Sequence, residues 1–232
     1  MTSEPARTRS VKKPEERRSE LMAAAQVLFT EQGYESTSID QIVDRVGVAK
    51  GTFYYYFDAK HDVLEAIVDD MSLTIVGLLD GIVDNPELGA IEKWEQLVLV
   101  VNNWKLARRA ELMAVARVMY SDANLVWRTK FTALAMERAA PAFAKVIAQG
   151  VGEGVFATDY PDESAAFVLS MLQAANGKVA ELMLFPDEHE DAEVIAKRYL
   201  DALHAGIQRM LGAEPGSLTI VDTDLIGPWF EA

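Results

Sequence analysis

The chain has 232 residues, half of them apolar, which suffices to bury a sizeable core in one or two domains. It contains no cysteine, so disulfides, thiolate catalysis and cysteine metal sites are excluded. A net charge of −14 argues against nucleic acid only until its distribution is read: residues 1–60 hold nine basic and nine acidic side chains, and the whole acidic excess falls in 61–232.

Residues 1–13 carry Arg7, Arg9, Lys12 and Lys13 without periodicity and read as a flexible basic arm, either solvated or touching phosphate or a minor groove. The arm has no apolar run of the signal-peptide kind. No charge-free apolar stretch of spanning length follows, so a cytoplasmic protein without membrane contact is expected. Pro14 suits a first helical turn, with Glu15 and Glu16 beside its positive end. Leu21, Ala24, Ala25, Leu28 and Phe29 then form a stripe that ends at Gly33.

Ser36–Lys60 is the most informative stretch. Ser38 and Gln41 fit a capping box. Ile39, Ile42, Val43 and Val46 recur at helical spacing, Gly47 stops that helix, and a short helix follows over Ala49–Tyr56. Helix, Gly-centred turn, helix is the arrangement that sets a second helix in a DNA major groove. Lys50, Gly51 and Thr52 stand at the start of that second helix, where free N–H groups favour a phosphate. Phe53 and Phe57 look inward, with Tyr54 at their edge and Tyr55 and Tyr56 outward. A structural helical hairpin with no DNA contact is the other reading of the same residues.

These residues carry a family resemblance. From Arg17 to about Asp69, through Phe29–Tyr34, Thr37, Gly47-Val48, the Gly51–Tyr54 run, Phe57 and Lys60, the chain resembles the DNA-binding region of the TetR family of bacterial transcriptional regulators. The resemblance implies a homodimeric, usually repressing protein on palindromic double-stranded operator DNA, with a small-molecule effector held by the C-terminal helices. By position, it implies phosphate contacts from Thr37 and Lys60, base or phosphate contacts from Lys50 and Thr52, close approach at Gly51, and a direct DNA contact from Tyr55. Tyr56 stands where histidine is frequent, and its hydroxyl has a different reach. Ala49 replaces a frequent serine and cannot cap.

A long helix after Asp58, which can cap it, runs through Val63, Ile67 and Met71 to about Val83 as a connector over 61–84. Asn85-Pro86 breaks the pattern. Further helices follow over Ile91–Arg109, Glu111–Tyr120 and Leu125–Gly150, the last bent near Pro141, with Gly150, Gly152 and Gly154 supplying a turn. Two more span Asp162–Phe185 and Asp191–Leu211. The fold expected is all-α: a three-helix DNA-binding domain over 14–60, then a larger ligand-binding and dimerisation domain over 85–211.

Ala165, Leu169, Leu172, Ala175 and Val179 on one helix, with Ile195, Tyr199, Ala202, Leu203 and Gly206 on the next, form the candidate face of a homodimer; a monomeric core would use the same residues. Residues 212–232 end in Pro228-Trp229-Phe230 and are expected to pack back on the larger domain or its partner. Trp94, Trp104, Met113, Tyr120, Trp127, Phe131 and Met171 are candidate walls of an effector cavity, with Asn102 and Gln173 as orienting groups, for a largely apolar or aromatic molecule. Core filling is the competing account for each. An inward Glu111 would select a cation. His61, His189 and His204 are scattered without metal spacing, Gly150–Gly154 lacks a phosphate-loop ending, and neither enzyme chemistry nor a cofactor is expected. A helical small-molecule-binding or interaction protein without specific DNA binding is the alternative function.

Overall fold

A computed structural model describes residues 13–185, 191–219 and 226–230. The basic arm through Lys12, His189 with its acidic neighbours, and Val221 lie outside those residues. Among the described residues all regular structure is helical. The chain divides into two compact units between Val68 and Asp69, inside the connector helix rather than before it.

In the first unit, α1 (Pro14–Gln32) begins on its proline and ends at Gly33, whose φ of 86° lies outside the range most side chains tolerate. Its buried stripe is Leu21, Ala24, Ala25, Leu28 and Phe29. The second helix, α2 (Ile39–Val46), is capped reciprocally: the Gln41 N–H donates to Ser38 Oγ at 3.2 Å and the Ser38 N–H to Gln41 Oε1 at 2.8 Å. Gly47 closes it in the left-handed region, with the Gly47 and Val48 amides returning to Asp44 and Val43. The short α3 (Lys50–Tyr56) has no side-chain cap, as Ala49 requires. Then α4 (Lys60–Val83) runs across both units. Its start is secured by Asp62, whose carboxylate accepts the Asp58 and Ala59 N–H groups at 2.9 Å each. The expected cap at Asp58 is thus corrected: that residue supplies a backbone donor.

The second unit continues with α5 (Ala90–Ala107), α6 (Arg109–Met119), a 3-10 turn over Asp122–Asn124, α7 (Leu125–Glu153), α8 (Pro161–Leu184), α9 (Ala192–Leu211) and the single turn α10 (Gly227–Phe230). The expected end of α7 at Gly150 is corrected, because one helix passes through Pro141, Gly150 and Gly152 and stops only at Gly154. Pro141 and Glu137 are both exposed, so water can satisfy the carbonyl that the proline leaves without a donor. Gly150 is buried against Phe156, where an added Cβ would fall 2.2 Å from the ring.

Trp94 is central to the larger core, edge-on to Phe143 and Phe156 with centroids 5.7 and 6.3 Å away. Its indole N–H donates to the Thr219 carbonyl at 3.1 Å, and Leu218 and Ile226 are buried in the same cluster. The neighbouring Lys93 is buried yet satisfied: its ammonium donates to the Val83 carbonyl at 2.6 Å and Gln149 Oε1 at 2.8 Å. α8 packs against both α7 and α9.

That packing takes in part of the stripe expected at a dimer contact. Ala165, Leu169, Ala175 and Leu203 are buried in the subunit's own core, and Leu172, Val179 and Ile195 pack against it. Gly206 faces Met171, whose Cε would lie 2.6 Å from an added Cβ. Of the expected dimer residues, Tyr199 and Ala202 are exposed. The apolar groups these helices leave in solvent include Phe167, at 62% exposure, and Val194.

Two glycine substitutions test this packing. Gly150→Ala is expected to lower unfolding stability by about 1–3 kcal/mol through overpacking against Phe156. Gly77→Ala, mid-helix in α4 with open space around the new methyl, is expected to raise it by about 0.5–1 kcal/mol. Urea denaturation of both variants reads the difference.

Candidate nucleic-acid interface and effector cleft

The first candidate site is built on α2, its turn and α3. Seven residues cannot hold a helix in water by themselves, so α3 depends on tertiary anchoring. Phe53 and Phe57 provide it: both are buried, with ring centroids 5.7 Å apart. Their burial turns Tyr55 outward at 76% exposure and Tyr54 at 50%. Tyr56 is half-buried and meets the Tyr55 ring edge-on at 4.8 Å. The expected order is therefore revised, with Tyr54 more exposed than Tyr56.

Gly51 is exposed and an added Cβ would meet nothing within 4 Å. No close approach inside the chain requires a glycine there, although the residue weakens a helix. Lys50 reaches back to α2 and pairs with Asp40 at 2.9 Å, an interaction that raises its pKa through the hydrogen bond to that carboxylate. Thr52 is half-buried.

Thr37 and Lys60 are engaged within the first unit. Thr37 is buried, and its hydroxyl donates to the Gly33 carbonyl at 2.8 Å while Gln32 Nε2 lies 3.2 Å from it. Lys60 donates to the carbonyls of Tyr34 at 2.6 Å and Thr37 at 2.8 Å, with its ammonium 4.1 Å from the Tyr34 ring centroid. Desolvation lowers its pKa. Both side chains brace the turn between α1 and α2 through these bonds. Lys60 keeps one donor of three. Asp40 does not stand out in the sequence; its position on the first turn of α2 is the signal that it could meet a cation ten residues on.

The second candidate is a cleft of about 450 Å³ in the larger unit, open to solvent. Its walls are Tyr120, then Leu125, Arg128, Thr129 and Thr132 of α7, then Gln173, Gly177 and Glu181 of α8 with Phe185 just beyond it. Tyr120 and Gln173 are the expected effector residues that it brings together. Trp94 and Met171 belong instead to the core or its packed margin. Trp104 is buried, with an indole N–H that finds no acceptor among the described residues, and Arg108 stacks over its ring at 4.8 Å. Asn102, Met113, Trp127 and Phe131 are half-buried, and Trp127 and Phe131 pair with centroids 6.5 Å apart; none lines this cleft, nor does Glu111. Arg128 escapes a reading that weights aromatic residues. Its signal is a mixed stripe at 125, 128, 129 and 132, matched by 173, 177, 181 and 185.

Among the described residues, no group of three or more His, Asp or Glu is disposed to hold a metal, and no helix is long and apolar enough to cross a membrane.

Known proteins resemble both halves. Residues 21–67 match the family described as bacterial regulatory proteins, tetR family, and residues 112–192 match the tetracyclin repressor-like C-terminal domain. The HTH-type transcriptional repressor KstR2 of Rhodococcus jostii is 27% identical over 82% of this chain and 91% of its own length. The match spans only 36% of a Lactococcus lactis regulator and 38% of SrpR from Pseudomonas putida, so those likenesses concern one part of the chain. Among solved structures, a TetR-family regulator from Pectobacterium atrosepticum covers 88% of this chain and 98% of its own at TM-score 0.64 and 23% identity. SmeT, the repressor of a Stenotrophomonas maltophilia multidrug efflux pump, covers 88% and 96% at TM-score 0.61 and 19% identity. With both family regions matched in order and over more than half of its residues, the chain belongs to the TetR family of bacterial transcriptional regulators.

Proposed function

We propose that this protein is a ligand-responsive transcriptional repressor that holds a palindromic operator as a homodimer and releases it when a small molecule enters the larger unit. The observation that carries the reading is α3: a seven-residue helix anchored by Phe53 and Phe57 that leaves Gly51, Tyr54 and Tyr55 exposed on one short surface. Repression is favoured over activation because KstR2, matched along 91% of its length, is a repressor.

In this reading Gly51 admits the sugar-phosphate backbone or a base edge, Tyr55 meets DNA directly, and Lys50 exchanges Asp40 for phosphate on binding. Thr52 and Tyr56 add contacts at the rim, while Thr37 and Lys60 hold α2 at the angle the duplex needs. Phosphate contacts would set position and base contacts would set sequence preference. The second subunit meets the exposed Phe167, Val194, Tyr199 and Ala202, and two-fold symmetry pairs the α3 helices across one operator. The effector enters the cleft at α7. That one helix carries both Arg128 of the cleft and Arg138, which pairs with Asp69 on α4, so a shift of α7 on ligand entry would be felt by the connector.

Four outcomes test the proposal. Selection from a random duplex library should yield a palindromic site. Tyr55→Ala should weaken binding to it by about 1–3 kcal/mol, and Lys50→Gln should reduce the salt slope by about one. Phe167→Glu should shift the protein towards monomer in analytical ultracentrifugation and weaken operator binding with it. A library that returns no preferred duplex would favour the alternative, a helical small-molecule-binding protein without specific DNA binding.

A further inference from the structure

The cleft between the end of α6, α7 and α8 has an uneven supply of charge and hydrogen-bonding groups. Arg128 lies 4.4 Å over the Tyr120 ring and makes one long bond, 3.4 Å, to the Met119 carbonyl, with no carboxylate partner among the described residues. The acidic wall residue, Glu181, is engaged by Lys178 at 2.6 Å. Thr129 and Thr132 donate their hydroxyls to carbonyls of their own helix, at 2.8 and 2.9 Å, and so offer only lone pairs. Tyr120 stays protonated, because burial raises the pKa of its hydroxyl. The donors left facing a guest are the guanidinium, that phenol and the Gln173 amide.

We propose that this cleft binds a small molecule through a carboxylate, with Arg128 as its countercharge and Tyr120 and Gln173 as neutral donors. One cation and two neutral donors match a single negative charge; among the wall residues a dianion would find no second cation. Leu125 and Phe185 provide apolar wall for the rest of the molecule, and about 450 Å³ lies within the range of small-ligand sites. Gly177 keeps the floor open: the nearest atom to an added Cβ there is the Tyr120 hydroxyl, 3.7 Å away. The biological meaning of this site rests on the regulator reading, whereas its chemistry does not.

The test is calorimetric titration of the full chain with matched acids and amides: 3-phenylpropanoate and 3-phenylpropanamide, octanoate and octanamide, 2-naphthoate and 2-naphthamide. At least one acid should bind about tenfold or more tightly than its amide, Arg128→Gln should abolish that preference, and Gly177→Leu should block binding; circular dichroism checks that both variants stay folded. Equal affinity for acid and amide, an unchanged preference in Arg128→Gln, or no acid binding below millimolar concentration would overturn the proposal. Operator affinity measured in parallel separates the two readings. An acid that binds through Arg128 without changing operator affinity counts against regulation alone.

Discussion

Burial of Phe53 and Phe57 is the constraint on which the first unit depends. A helix of two turns has too few internal hydrogen bonds to offset the ordering of its backbone, so its direction is set by what it buries. Once both rings are inside, the tyrosine at the opposite face has nowhere to go but solvent. The same burial fixes where Lys50 begins the helix and hence its reach to Asp40. Around it, Thr37 and Lys60 fasten the preceding turn through backbone carbonyls, so the exposed surface is carried by a frame whose polar groups are paired.

The larger unit uses a different solution. Its helices are long, and small residues on α8 let α7 and α9 approach closely, so the core is made from aliphatic contact around Trp94. Lys93 enters that core with two acceptors, and Gln208 ties the α9 end to Gly216 and Leu218. Against that background Arg128, stacked on a ring and paired with no carboxylate among the described residues, differs from Arg138 and Lys145, each of which has such a partner.

Much of the first unit is legible in the sequence because its signals are local. Ser38 and Gln41 are three residues apart, and Gly47 is the position where a left-handed residue closes the motif. The order of Tyr54 and Tyr56 is not legible: at about 100° per residue, both lie some 80° from the direction shared by Phe53 and Phe57. The bonds of Thr37 and Lys60 to backbone carbonyls are not legible either, because a side chain's partner depends on the fold of the turn, not on its own type. The α8 stripe is ambiguous for a deeper reason, since a subunit core and a subunit interface ask for the same small and aliphatic residues. Packing shows only which of these residues the subunit's own core takes in, and it leaves Leu172, Val179 and Ile195 partly exposed at its margin.

The bond from Trp94 to Thr219 joins residues 125 apart in sequence. The first unit, by contrast, is complete once residue 68 is made. During synthesis the DNA-facing unit can therefore fold while the larger unit is still being translated, and the larger core must wait for Thr219 to emerge before its central indole finds its acceptor.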